Sequence, residues 1–263
     1  MTDQIENIKR DIRIALDQNM VSTQLISTAD IDTLTLDDII ESKIEDAARL
    51  VMRDAPLHLL DGGKAFGESI KWFSREGVGG GYIALPSDFL RLVSFQMSDW
   101  SYPVNVAITE DHPLYPLQSS RYAGIKGNPQ RPVVALSSQP IGLVLEFYSC
   151  EAGEGVYVKR ATYLPIPKIY PVLVTDKGKY SSLSAVRSAY PNGGEKGDYV
   201  YVDGVIYVWD ENTSDWVLYI AEIVFSEKLR PAIIYYAAYL TALSIGNGDL
   251  ATVLLNTSKE LMQ

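Results

Sequence analysis

Ile5, Ile8, Ile12 and Leu16 recur every three to four residues, which puts them on one face of a helix and predicts an amphipathic helix over residues 3–19. After a polar connector at 22–32, Ile39, Ile40, Ile44, Ala47, Ala48 and Val51 form a second stripe. Thr35 stands at its cap, Asp38 is in place as the acid of a capping box, and Pro56 ends the run. Beyond a glycine-rich loop the apolar period drops from helical spacing to two. Phe89, Val93, Phe95 and Met97 share one parity with Arg91, while Leu90, Leu92, Ser94 and Gln96 take the other, so this strand has two usable faces. Further strands are expected at 132–136, 143–148 and 157–163, separated by turn clusters at 127–129 and 137–142.

The pattern changes again near residue 176. Alternating Tyr and Val over 199–202 and 205–209 flank Asp203-Gly204, a strong signal for a type I′ hairpin, and Trp216, Val217 and Leu218 predict a third strand. Pro231 suits a first helical turn, and residues 232–245 are apolar nearly all round, with Ala237, Ala238 and Ala242 allowing a neighbour close approach. Asp249 is expected to cap a last helix with Leu250, Val253, Leu254 and Leu261 as its stripe. The expected fold class is α+β: N- and C-terminal helices packed as a bundle, a central antiparallel β-sandwich or barrel-like region, and a small β insertion. The expected division is a main domain of residues 1–174 and 220–263 with an insertion module at 175–219.

The chain has 263 residues, 47% of them hydrophobic and 21% charged, as in a globular protein, with a net charge of −10. Residues 1–55 hold twelve acids against six bases, so the helical pair carries more than half of that charge, as a solvated outer face does. An acidic surface repels phosphates and anionic lipid. No apolar run approaches ~18 residues, and the first turns are too charged for a secretory signal, so no membrane span or classical export is expected. A single cysteine, Cys150, excludes an intramolecular disulfide and fits a reducing cytosol. The two histidines, His58 and His112, have no partners at metal-ligating spacing, and no metal or cofactor is expected. Gly77 and Gly79–Gly81 lead into Tyr82 and Ile83 without a lysine or a helix start, which argues against a phosphate cradle. Ser181, Ser182 and Ser184 lack a nucleophile elbow, and pairs such as Glu151 with Glu154 or Asp210 with Glu211 arise by chance in an acidic chain. No enzymatic activity is expected. Tyrosine supplies 17 residues against 4 Trp and 6 Phe, a bias toward strands and interfaces. Trp100, Tyr201, Trp209 and Trp216 are the candidate interface anchors.

The segment Leu85, Pro86, Ser87, Asp88, Phe89, Leu90, Arg91, Leu92, with Ser94 and Trp100 after it, resembles the opening of the first long strand in the head-to-tail adaptor (connector, or tail tubular) proteins of short-tailed bacteriophages. In this motif Pro86 stiffens the approach, Asp88 is expected to bond backbone in the turn, and Phe89 starts the buried face. The order of N-terminal helices, strand block and closing helices is similar to that family as well, whereas Tyr190 to Trp209 departs from a minimal adaptor and is similar to small modules of phage tail and fibre proteins. The resemblance implies a structural virion protein, made in the bacterial host cytoplasm: a homo-oligomeric ring, commonly a dodecamer, that extends the portal channel. Its implied partners are further copies of itself, the portal protein, other tail proteins, and genomic DNA retained and ejected without sequence-specific binding. An acidic wall would let that DNA slide. The alternative is a tail or host-recognition protein that binds carbohydrate through the aromatic insertion. A glycosidase acting on capsule, with an acid near Asp210, is the third class.

Overall fold

The computed structural model describes residues 2–16, 35–66, 70–73, 79–120, 122, 124–150 and 156–263. The chain is α+β, with five helices among the described residues: α1 (Ile5–Ala15), α2 (Leu36–Asp54), α3 (Leu183–Ala189), α4 (Arg230–Ser244) and α5 (Gly248–Glu260). It divides into two compact units, Met1–Asp54 with Pro167–Gln263, and Ala55–Ile166. The terminal helices and residues 175–219 therefore fall in one unit and the central strands in the other.

In the first unit, α1 starts two residues later than its apolar pattern suggests, because Thr2–Gln4 pairs as a strand with Glu222–Val224 and Ile5 N–H continues to Ala221 O at 2.9 Å. Ile5, Ile8, Ile12 and Leu16 are all buried. Residues 17–19 of the expected helix and the 22–32 connector lie outside the described residues. The capping box of α2 is formed: Thr35 N–H donates to Asp38 Oδ2 at 2.8 Å and Asp38 N–H to Thr35 Oγ1 at 3.2 Å. These bonds hold the Asp38 carboxyl below its usual range. Arg13 forks onto Asp37 from α1, with Nε to Oδ1 at 2.7 Å, Lys9 reaches Glu41 at 3.1 Å, and Arg230 of α4 reaches Asp11 at 2.8 Å. Part of the N-terminal acid surplus thus joins helices instead of facing water.

The helix α4 packs against α5, α2 and α1. Its Ala232, Ile233, Ile234, Ala237, Ala238, Thr241 and Ala242 are buried, which is why it carries almost no polar stripe. On α5 the cap is Asn247, whose side chain accepts from Leu250 N–H at 3.2 Å, and not Asp249. The inward face is accordingly Ala251, Leu254 and Ser258, while Val253 and Leu261 of the expected stripe are exposed. Ser258 Oγ donates to Ala232 O at 2.8 Å and ties α5 to α4.

Residues 175–218 build a four-stranded sheet in the order Thr175–Tyr180, Asp198–Val202, Val205–Asp210, Asp215–Leu218. Asp203 (φ 52) and Gly204 (φ 82) make the hairpin turn, both in the left-handed region that a type I′ turn requires. Two features differ from the three-strand expectation: Thr175–Tyr180 joins in parallel, and α3, capped by Ser182 on Ala185 N–H at 3.2 Å, provides the crossover that a parallel pair needs. Val186 of α3 meets Val200, Val202 and Trp216 in a core of their own.

The second unit holds a five-stranded sheet, in the order Lys71–Trp72, Gly81–Ala84, Gly142–Phe147, Val134–Gln139, Ile108–Thr109, and a three-stranded one, Lys64–Ala65, Val158–Pro165, Phe89–Met97. Neither closes, so the barrel-like expectation is corrected. Both edges of the larger sheet are two-residue strands that pair on one side only, and Phe89–Met97 pairs with Val158–Pro165 in the other sheet. Ile108–Thr109 also runs parallel to its neighbour, against the antiparallel expectation. The turn expected over 137–142 shrinks to Pro140-Ile141, because Ser137, Ser138 and Gln139 pair with Val144, Leu143 and Gly142. Ile83, Val134, Leu145 and Phe147 from the first sheet share one apolar cluster with Leu92, Phe95, Met97 and Ala161 from the second. At Gly80 a Cβ would lie 2.3 Å from Phe147 O. Close backbone packing accounts for the glycine there.

Candidate functional site

The first unit carries a cleft of 620 Å³. One wall is apolar and open to solvent, with Tyr170 49%, Val172 46%, Val174 70% and Ile220 46% exposed. The rim is polar: Lys196, Asp210, Glu211, Asn212 and Glu222, three carboxylates against one ammonium. Its walls are anchored from both sides. Val174 and Thr175 N–H both donate to Gly197 O, at 2.8 and 3.2 Å, and Tyr219 N–H donates to Ile206 O at 2.9 Å. Asp198, buried beside Gly197, accepts from Glu195 N–H at 2.9 Å and pairs with Lys177 at 3.2 Å.

Trp209 lines this cleft half-buried. Gly193 lets the indole seat itself, since a Cβ there would lie 2.3 Å from Trp209 Cη2 and the residue holds φ +84. Trp216 meets the indole edge-on at 5.6 Å. Trp216 itself is 3% exposed and Trp100 4% exposed. Trp100 belongs to the core of the second unit, where it packs on Phe95 at 5.5 Å and donates to Ser149 O at 3.1 Å. Tyr201 is half-buried on the face of its sheet opposite Trp209, in a T-shaped pair with Tyr199 at 5.8 Å and with Lys179 Nζ 5.9 Å from its ring. Of the four candidate anchors, Tyr201 and Trp209 retain open surface, and they do not converge on one site.

The segment around Asp88 is tied by backbone and side chains together. Phe89 N–H closes a turn to Pro86 O at 3.1 Å, and Leu85 N–H donates to Leu143 O at 3.0 Å. The Asp88 carboxylate accepts from Tyr163 OH at 2.7 Å and pairs with Lys64 at 3.3 Å, in addition to the expected backbone contact in the turn, made with its own N–H. Burial would raise this carboxyl, but the Tyr163 and Lys64 contacts outweigh it and hold it below the ordinary range. Phe89 is half-buried and stacks on Tyr163 at 5.8 Å. Burial and the Asp88 carboxylate push the Tyr163 phenol up to about 12.

No family model matches the chain, and no curated protein matches it.

A second cleft, of 330 Å³, lies in the second unit against Tyr115, Gln118, Glu146 and Tyr148. Glu146 is a buried hub. Its Oε1 accepts from Ser137 Oγ at 2.7 Å and Gln139 Nε2 at 2.9 Å, and its Oε2 from Tyr115 OH at 3.1 Å and from Tyr148 OH. Burial, with this carboxylate beside them, pushes both phenols up. The acceptor positions are occupied by the protein, so the hub holds the hairpin and the segment around Tyr115 together. One sequence signal could have found it: an acid inside the apolar run Leu143 to Tyr148, where a buried carboxylate demands donors. The larger cleft had a fainter signal in the apolar run Ile169 to Val174, which lies outside any expected strand.

Of the groups weighed for chemistry, Asp210 accepts from Asn212 N–H at 3.1 Å and Thr213 Oγ1 at 2.9 Å, and these bonds hold its carboxyl below the usual range. Such a group closes a turn and is poorly suited to act as a general acid. Glu151 and Glu154 lie outside the described residues. His112 Nδ1 accepts from Leu114 N–H at 3.1 Å, and His58 is exposed in the short turn Leu57–Leu59. Among the described residues no group of three or more His, Cys, Asp or Glu could hold a metal ion, and no helix is long and apolar enough to cross a membrane.

Proposed function

We propose that the chain is a ring-forming structural subunit of a virion, a head-to-tail adaptor that extends the portal channel and receives tail proteins, with α1, α2, α4 and α5 acting as its helical bundle and residues 175–219 as an accessory module. One observation carries the assembly part of this reading. Tyr170, Val172, Val174 and Ile220 are exposed together on one cleft, with the exposed Leu218 and Val224 in the same stretch of chain. Scattered exposed apolar residues need no explanation, but a contiguous patch bordered by charge is what an association surface looks like before its partner arrives. The adaptor part rests on the resemblance carried by Leu85, Pro86, Asp88 and Phe89. The charge distribution is compatible with a DNA channel: the helical unit holds 23 acids and 14 bases, the other 10 and 9, so nearly the whole excess sits on one unit.

Native mass spectrometry and negative-stain microscopy, alone and with a portal protein, test the proposal. A closed ring is expected. A chain that stays monomeric even with portal present would end it. The carbohydrate-binding alternative, favoured by Trp209 beside carboxylate and amide groups, predicts instead a monomer whose tryptophan fluorescence responds to polysaccharide.

A further inference from the structure

A closed ring with one contact per neighbour needs two different, complementary patches on each subunit, because head-to-tail contacts are heterologous. The cleft at Trp209 supplies one patch: an apolar wall with Glu211, Glu222 and Asp210 on its rim against Lys196 alone. Its complement would be an exposed aromatic or aliphatic group flanked by bases on a rigid element. The strand Val158–Pro165 opens with these features, since Tyr157 is 62% exposed and Lys159 and Arg160 are both exposed. The start of the strand is held in place by its pairing with Phe89–Met97 and by Ser98, whose Oγ accepts from Tyr157 N–H at 3.1 Å.

We propose that the occupant of the Trp209 cleft is a second copy of this chain, entering with Tyr157 against the apolar wall and with Lys159 and Arg160 against Glu211 and Glu222. This rests on the ring reading and names its contact. Apolar burial would provide affinity, and the two charge pairs would set register and orientation. Both patches belong to every copy, and neither is complementary to itself, so the contact propagates from copy to copy.

The test compares self-association of the full chain with that of Lys159→Glu/Arg160→Glu, of Glu211→Lys/Glu222→Lys, and of the fourfold variant. Each double reversal is expected to weaken association by about tenfold or more, and the fourfold swap to restore most of it. A second readout avoids charge reversal. Glu211→Cys and Lys159→Cys chains are mixed and treated with a short bis-maleimide, which Cys150 does not answer because it is buried. The mixture should yield cross-linked dimer well above either chain alone. A wild type that associates, with association unmoved by both reversals or with no excess cross-link in the mixture, overturns this contact and leaves the ring standing. A wild type that never associates, even with portal present, removes the ring reading itself.

Discussion

Single side chains in this protein are held by a few short polar contacts whose effects can be separated. Tyr163 OH donates to Asp88, so Tyr163→Phe should cost about 1 kcal/mol by urea unfolding while the ring keeps its stack on Phe89. The pH dependence has a definite sign at both ends. The folded Asp88 carboxyl titrates below its unfolded value, so its contribution is complete at neutral pH and fades as pH falls below about 4. The folded Tyr163 phenol sits at about 12, above the unfolded phenol near 10, so stability drains as pH rises between those values. Tyr163→Phe should remove the alkaline loss that this phenol contributes, measured as the difference in midpoint across the pH series. Cys150 gives an independent probe of the core of its unit. Burial, then the Asp99 carboxylate, pushes its thiol up to about 12, so a thiol reagent at pH 8 should label it only in denaturant. Rapid labelling of the native chain would show that this core opens readily.

Among the elements, α4 and the 175–218 sheet carry the sharpest expectations. Ala238 is fully buried on a helix packed by three others, so Ala238→Leu should overpack the contact and cost ~1–3 kcal/mol in thermal or chemical unfolding. An unchanged melting temperature would mean that the α4 surroundings yield easily. In the connection from α3 to the strand Asp198–Val202, Gly193→Ala would drive a methyl into the Trp209 indole at a residue with φ +84. Loss of local order there should shift Trp209 fluorescence while the helical circular dichroism signal stays. Replacing residues 177–217 by a short Gly-Ser linker is the stronger form of the same test. If the module is an accessory, the helices remain and assembly weakens; loss of the helical signal would make the sheet integral to its unit, with which it shares the compact division of the chain.

For the whole molecule, the division at residues 54/55 and 166/167 matters most. Ala55–Ile166 is contiguous and contains a complete apolar cluster, so this fragment expressed alone should unfold cooperatively with a β-type spectrum. A non-cooperative fragment would show that its core depends on the helical unit. The uneven charge predicts a further behaviour: the helical unit repels itself at low salt, so any ring should assemble at a salt concentration that screens bulk repulsion and weaken again where salt screens the pairs at the contact.

How legible the fold was depended on how local each decision is. The α1 and α2 stripes, the Thr35-Asp38 box, the Asp203-Gly204 turn and the apolar girth of α4 follow from spacing and backbone sterics within a few residues, and the chain forms all of them. Of the candidate anchors, aromatic type alone singled out Trp100 and Trp216, and packing decided that both are buried. The parallel pairing of Thr175–Tyr180, the strand at Thr2–Gln4, and the choice of Asn247 over Asp249 as cap depend on partners distant in sequence or on where the preceding helix ends, which no local pattern records. The cleft at Trp209 is the strongest such case. Residues 170–174, 196–197, 208–212 and 220–222 are separate in sequence, and they become one surface only because strand pairing and two backbone anchors bring them to the same place. Sequence alone thus determined the terminal helices and the Asp203-Gly204 hairpin, whose energetics are short-range, and tertiary structure decided the sheets and the cleft, whose contacts are long-range.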